Sequence, residues 1–433
     1  MSTKKKIVSN TLYQLLAKII STLSTLAISI LITRILGAKT WGEYSIVIAY
    51  LTFFYIFTEF GLNSVAARDF SVLKNVGINE FYNFFLVRFF HTLLIVIIGV
   101  VFLQFLNYPY HIKLAIYFSQ IGVFFFSLSS AYNSIFQSKL LYKYLFFTTL
   151  GSSLLNLFLF FTLLNYFNRN IVYLFVPMII ADITRFVLAL YFSHSILLSE
   201  KFVLSLQKMR HFFISALPLG IALLFNTLMT QIDKIMLSVM VDPIYVGYYS
   251  LSYKLFDVLL VLPTFFMNAA FTVFVQRYKQ RNSYGRELSL SILCLTIVSV
   301  LITLISLLTG WFLIPLIWGA DMRFATTSFN ILITGTILFY ISSPISWAFV
   351  VENKQKYLIY FYLSGFIVNF LLNMFFIRVY GYIGAAVTTI ITEALILLLL
   401  EIYRKKVLKV RYDFDYRKIR YEVLSILNFV KLR

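Results

Sequence analysis

The chain begins with a periodic set of side chains able to bind an anion. Thr11, Gln14, Lys18, Thr22, Thr25, Ser29 and Thr33 follow one another at intervals of three and four residues inside an otherwise apolar stretch, so a helix would align them on one continuous face. Serine and threonine alone would be explained by ordinary packing against their own helix backbone. Lys18 changes that reading, because a cation in hydrocarbon costs roughly 2.5–3.5 kcal/mol on insertion scales and normally faces a cavity or a partner. Lys18 is therefore expected to face a substrate-binding cavity, with Gln14, Thr22 and Thr25 on the same polar stripe beside it. Snorkelling to the interface and a structural ion pair are the alternatives.

Other ionisable residues interrupt apolar stretches further along. Asp182 with Arg185, and Lys254 with Asp257, stand three residues apart, near enough on a helix to close on themselves as salt bridges. The functional alternative makes Arg185 and Lys254 further cations for an anionic ligand, with the acids tuning them or titrating. Glu393 has no charged neighbour in sequence, a situation in which a buried carboxylate is proton-bound or paired across helices. Asp182, Asp257 and Glu393 thus form a set of coupling or ion-pair candidates, and Asp233 with Lys234 is a candidate gate or loop anchor. Arg88 with His91, and Glu59, fall near the ends of apolar stretches, where snorkelling to water is expected. Asn369 with Asn373, and Thr149 with Ser153 and Asn156, read either as hydrogen bonds between helices or as groups facing a polar ligand.

The composition says what kind of element must position these residues. Of 433 residues, 61% are hydrophobic and 12% charged, against about 25% charged in soluble domains. So few charges cannot cover a water-soluble surface, which argues together against a soluble enzyme, a nucleic-acid-binding module and a disordered scaffold. Stretches of about 20 mostly apolar residues, enough to cross a bilayer, start near Thr11, Gly42, Phe84, Lys113, Leu145, Ile171, Phe212, Val246, Leu288, Ser328, Leu358 and Ile383. The expected fold is an all-α polytopic membrane protein of about 12 transmembrane helices, with no segment left for a folded extramembrane domain. The stretch from Trp311 to Ala320 is open as a helix extension or an interfacial loop. Pro177, Pro218, Pro263 and Pro344 lie within or beside spans, where neighbouring helices can re-satisfy the freed backbone groups.

A net charge of +20 would suggest nucleic acid in a soluble protein. Here it sorts by side of the membrane: 27 Lys and Arg fall on the side of the two termini, 7 on the other, and Lys18, Arg185 and Lys254 remain within spans. That bias places both termini in the cytoplasm. A weak repeat runs through the same spans. Trp41-Gly42-Glu43-Tyr44-Ser45 returns as Val246-Gly247-Tyr248-Tyr249-Ser250, an offset of 205 that also brings Thr22 and Thr25 onto Thr227 and Thr230. Six spans per repeat would give two halves of one orientation, related about the membrane normal. The expected organisation is a six-helix bundle at 1–198, a cytoplasmic linker at 199–211, a second bundle at 212–403 and a basic tail at 404–433. The tail interleaves Lys and Arg with aromatic residues and leucines, which suits an amphipathic segment on anionic membrane lipids rather than nucleic acid.

Soluble chemistry is poorly represented. There is no phosphate-binding glycine loop followed by Lys, no His-Glu-x-x-His and no serine nucleophile elbow, and the chain has one cysteine, Cys294, and four histidines. No cofactor and no metal centre are expected. Uphill transport would have to draw on an ion gradient, H+ or Na+, or on the gradient of the substrate itself.

Several stretches together resemble one known group. Thr33-Arg-Ile-Leu-Gly-Ala-Lys-Thr-Trp-Gly-Glu-Tyr-Ser45, Glu59-Phe-Gly-Leu62, Ala216-Leu-Pro-Leu-Gly220, Gln231-Ile-Asp-Lys-Ile-Met-Leu237, Val246-Gly-Tyr-Tyr-Ser250, Asn369-Phe-Leu-Leu-Asn373 and Gly381-Tyr-Ile-Gly-Ala-Ala386 resemble, in order, the Wzx-type polysaccharide flippases. These belong to the multidrug/oligosaccharidyl-lipid/polysaccharide exporter superfamily. The resemblance implies a MATE-like V of two six-helix bundles in the bacterial inner membrane, working by alternating access. It implies as cargo an undecaprenyl-diphosphate-linked oligosaccharide for O-antigen, capsule or exopolysaccharide, and as partners a polysaccharide polymerase and other assembly proteins. A transporter, not an enzyme, is expected. Drug and cation antiporters of the superfamily carry an acid in the first span, whereas no Asp or Glu precedes Glu43 here. That antiport and, from another class, a membrane glycan polymerase or ligase are the alternatives.

Overall fold

The computed structural model describes residues 3–166, 170–199, 201–279 and 284–413. Eleven long helices carry them: α1 (Thr3–Glu59), α2 (Leu62–Val72), α3 (Ile78–Phe102), α4 (Tyr110–Ser138), α5 (Tyr142–Tyr166), α6 (Val176–His194), α7 (Leu206–Met240), α8 (Pro243–Lys279), α9 (Gly285–Trp318), α10 (Ala325–Val351) and α11 (Lys356–Tyr403). Among the described residues, nine stretches are long and apolar enough to cross a bilayer, and the only strand-like pairing is an isolated bridge between Gly77 and Leu198. The chain is an all-α polytopic membrane protein, as its composition requires. Between Trp311 and Ala320, α9 continues as helix to Trp318, so this stretch is an extension of the span.

Two of the nine stretches, Ser9–Val72 of 64 residues and Lys356–Leu408 of 53, are far longer than the roughly 20 residues of one crossing. Each is broken at a glycine. Gly37 (φ 86, ψ 172) and Gly381 (φ 59, ψ −138) adopt backbone angles closed to residues with a Cβ. The breaks fall between the expected first and second spans and between the eleventh and twelfth.

Packing divides the chain into two compact units, Met1–Ser250 with Pro315–Arg323, and Leu251–Ile314 with Phe324–Arg433. In the first, an aromatic knot joins α2, α3 and α7: the Phe70, Phe84 and Phe212 rings meet pairwise with centroids 5.2–6.0 Å apart. The repeated motifs also meet there. Trp41 Nε1 donates to the Gly247 carbonyl at 2.9 Å, and a Cβ on Gly247 would lie 3.0 Å from Gly42 Cα. Arg34 caps the end of α9 through the Leu316 and Ile317 carbonyls, and Trp318 Nε1 donates to Ser29 Oγ at 2.9 Å. These bonds tie Pro315–Arg323 to the first unit.

In the second unit, Ser252 Oγ donates to the Ala325 carbonyl at 2.6 Å, Tyr340 Oη to that of Leu259 at 2.7 Å, and Thr303 and Thr336 share a 3.0 Å hydrogen bond. After α11 the chain makes a π-helical turn and folds back. Arg404, buried, holds Glu401 (Nε to Oε2 2.8 Å) and lies 3.8 Å over the Tyr412 ring, while Lys354 Nζ donates to the Val407 carbonyl at 2.7 Å. Tyr284 donates to Glu352 at 2.6 Å; burial first, then this carboxylate, push its phenol above the ordinary range. Burial and Glu401 do the same to Tyr412. Of the basic tail expected at 404–433, residues 414–433 lie outside the described residues.

Gly42→Val would drive a side chain into the Pro243 carbonyl. Such overpacking is expected to cost about 1–3 kcal/mol, measured as a lowered thermal midpoint of the purified protein in detergent.

Candidate functional site

The polar stripe of α1 changes character along its length. Thr11, Gln14 and Lys18 are exposed, Thr22 is half-buried and Thr25 exposed, and Ser29 and Thr33 are buried. Backbone acceptors satisfy most of the hydroxyls: Thr25 donates to the Thr22 carbonyl at 3.0 Å, Ser29 to Leu26 at 2.6 Å and Thr33 to Ser29 at 2.9 Å. Ser29 also accepts the Trp318 indole, so the buried end of the stripe serves packing. Lys18 and Gln14 differ. Neither has a hydrogen-bond or ion-pair partner among the described residues, and Lys18 therefore keeps its three N–H donors for something outside the fold.

On α6, Asp182 is buried and Arg185 half-buried, but no ion pair joins them among the described residues. Arg185 turns instead to α5 and α4. Its Nε and Nη2 donate to Ser152 Oγ at 3.1 and 3.0 Å, and its guanidinium carbon lies 5.0 Å from the Phe126 ring centroid. A hydroxyl and a ring orient the guanidinium, and neither of them carries a charge to cancel its own. Asp182 packs beside Gly122, where a Cβ would stand 3.2 Å from its Oδ2. The neighbouring α5 face serves packing in part: Ser24 Oγ donates to the Ser153 carbonyl at 3.1 Å, while Asn156 Oδ1 is buried without a partner.

Arg88 overturns its expected place. It does not snorkel; its side chain is 1% exposed and forms a 3.0 Å ion pair with Glu59 Oε2. Its other donors reach Asn63 Oδ1 at 3.2 Å, Ser127 Oγ at 2.9 Å and the Glu59 carbonyl at 3.4 Å. Asn63 Nδ2 and Ser130 Oγ complete the cage around Glu59 Oε2 at 3.0 and 3.5 Å. The network sits where α1 ends and α2 begins, at Phe60 and Gly61 with φ of 34 and 72. Arg88 thus caps α1 with its guanidinium and pairs with the carboxylate of the same terminal residue. The sequence signal was faint. Glu59 and Asn63 are four apart, one helical turn, but nothing marks Arg88 or Ser127 as their partners.

The other expected residues separate by unit. Asp233, buried on α7, accepts the Tyr249 hydroxyl of α8, and Lys234 Nζ donates to Gln231 Oε1 at 3.0 Å. In the second unit, Lys254 is half-buried and Asp257 exposed on α8. Glu393, 4% exposed, accepts from Ser342 Oγ at 2.5 Å. On the same helix, Asn373 Nδ2 donates to Asn369 Oδ1 at 2.8 Å and Asn369 Nδ2 to Oγ1 of Thr392, the residue before Glu393, at 3.3 Å, with Asn373 Oδ1 buried and unpartnered.

Long apolar helices with ionisable groups set at membrane depth define a polytopic membrane transporter. Over residues 7–277 the chain matches the family model described as polysaccharide biosynthesis protein, and over 218–375 the model MatE. The chain belongs to the polysaccharide biosynthesis protein family, within the multidrug/oligosaccharidyl-lipid/polysaccharide exporter superfamily. No curated protein matches it in sequence. Among solved structures it is similar to the lipid II flippase MurJ in an inward closed conformation (TM-score 0.74, 16% identity, 98% of this chain and 92% of that one). It is also similar to an inward-facing multidrug resistance MATE family transporter (TM-score 0.70, 12% identity, 89% and 94%). A third likeness is to a superfamily transporter from Pyrococcus furiosus described as having a binding pocket of reverse polarity (TM-score 0.61, 13% identity, 92% and 95%).

Removing one partner from a buried ion pair is costly. Arg88→Met is expected to destabilise the protein by about 3–5 kcal/mol, read as a lower thermal midpoint and reduced abundance in membranes, whereas Lys18→Met should leave both unchanged.

Proposed function

We propose that this protein is a flippase for an oligosaccharide carried on undecaprenyl diphosphate, moving it from the cytoplasmic to the outer leaflet of the bacterial inner membrane with both termini cytoplasmic. The observation that carries the reading is Lys18: an exposed cation at membrane depth, on a polar helix face, with no partner among the described residues. A diphosphate crossing hydrocarbon needs compensating positive charge along its route. Arg185, oriented by Ser152 and Phe126 but not neutralised, supports the same chemistry, and Lys254 adds a third cation in the second unit. Family membership in polysaccharide biosynthesis supports a glycan as cargo.

Glu393 is the group proposed to couple transport to H+ or Na+. It is buried and accepts a hydrogen bond from a serine hydroxyl, so gain and loss of a cation there would change the local charge outright. Product identity, as O-antigen, capsule or exopolysaccharide, then follows from the glycan supplied. Anionic membrane lipids and a polysaccharide polymerase are the proposed partners.

In proteoliposomes carrying a lipid-linked oligosaccharide, Lys18→Ala with Lys254→Ala is expected to slow flipping about tenfold or more, since a charge-assisted hydrogen bond is worth roughly 1.5–3 kcal/mol. Unchanged flipping at equal protein content would refute the assignment of these cations. Glu393→Gln should remove the dependence of the flipping rate on a pH or sodium gradient. A variant that still responds to both gradients would rule out Glu393 as the coupling group.

A further inference from the structure

The Glu59 network leaves one acceptor unused. Oε2 receives Arg88, Asn63 and Ser130, whereas Oε1 accepts no hydrogen bond among the described residues. The Glu59 side chain is 37% exposed, against 1% for Arg88. A carboxylate this open at the end of a transmembrane helix faces a wet path rather than acyl chains. It is also rigid, because three donors from α2, α3 and α4 fix its plane.

The open oxygen lies on a continuous seam with Arg185. Tyr55 and Glu59 are one turn apart on α1, and Phe126 and Ser130 one turn apart on α4. The Tyr55 and Phe126 rings meet at 4.8 Å, and Phe126 is the ring that carries the Arg185 guanidinium. A cation for an anionic group is therefore linked by two ring contacts and one helical turn to a fixed carboxylate flanked by an amide and a hydroxyl. The carboxylate does not repel the anion strongly, since Arg88 neutralises it from behind.

We propose that Glu59, positioned by Arg88 and assisted by Asn63 and Ser130, binds the hydroxyl groups of the sugar attached to the diphosphate. This rests on the flippase reading and adds a sugar subsite to it. Sugar hydroxyls are donors in search of strong acceptors, and a carboxylate oxygen accepts more strongly than a neutral group. Tyr55 and Phe126 offer the flat apolar surface that the C–H faces of a pyranose need.

The test compares two kinds of probe on the full-length protein in nanodiscs: farnesyl diphosphate, and a panel of farnesyl diphosphates each bearing one hexose or N-acetylhexosamine. Wild type is expected to bind at least one glycosylated probe about tenfold more tightly than farnesyl diphosphate. Glu59→Gln should erase that increment and leave affinity for farnesyl diphosphate unchanged, and Ser130→Ala, which leaves the Arg88 pair intact, should reduce the increment. Lys18→Ala should weaken every probe by a similar factor. The inference is overturned if Ser130→Ala, or a Glu59→Gln protein that keeps a wild-type melting curve, retains the full increment, or if no glycosylated probe outdoes farnesyl diphosphate. In both cases binding of farnesyl diphosphate that depends on Lys18 would leave the flippase reading standing. If wild type binds none of the probes, that reading fails and the sugar subsite falls with it.

Discussion

A charge that leaves water must find its compensation inside the protein, and Arg88 shows how completely this chain meets that demand. One guanidinium of 1% exposure closes on a carboxylate, an amide oxygen, a serine and a helix-end carbonyl. Those partners come from α1, α2 and α4, so the requirement of a single residue on α3 fixes how four helices pack. Breaking a pair of this kind exposes the cost of an unpaired buried charge, which exceeds the net gain from forming it. The network is therefore a constraint on arrangement more than a reserve of stability.

Against that background the incompletely compensated groups stand out. Arg185 has a serine hydroxyl and a ring, Lys18 has no partner among the described residues, and Glu59 has one oxygen saturated and one open. All three lie on the first unit, on α1 and α6, where other hydroxyls bond their own backbone, as Ser29, Thr33, Thr184 and Ser193 do. Polar groups that fold back on the helix serve packing; polar groups left open at membrane depth are the ones the proposed function assigns to a ligand. That distinction separates the two ends of the α1 stripe, which the residue pattern alone presents as one surface.

What could be read from the amino-acid order, and what could not, follows the range of the interactions. Helices and their breaks are local, so apolar length located the spans, and Gly37 and Gly381 fall in the gaps between expected spans. The stripe is also local, a matter of spacing along one helix. Arg88 was misplaced because its position, ten residues into α3, resembles a snorkelling site, while its partners are 25 to 39 residues away in the chain. Asp182 and Arg185 were legible as neighbours but not as a non-pair: helical spacing permits the bridge, and Ser152 and Phe126, contributed by other helices, take the guanidinium elsewhere.

The repeat offers the same lesson in reverse, since here a faint sequence signal points to a long-range contact. The offset of 205 residues matches Gly42 with Gly247, and in the folded first unit those two glycines pack against each other, with Trp41 bonded to the Gly247 carbonyl. Both copies of the motif thus carry glycine at a place where two stretches of backbone come together inside the first unit. A Cβ at Gly42 would run into the Pro243 carbonyl, and one at Gly247 would lie 3.0 Å from Gly42 Cα, so backbone excludes a side chain at both positions, through different neighbours. The glycines of Trp-Gly-Glu-Tyr-Ser and Val-Gly-Tyr-Tyr-Ser are therefore read best as packing positions, and the Trp41 indole bonded to the Gly247 carbonyl holds the two stretches at that close approach.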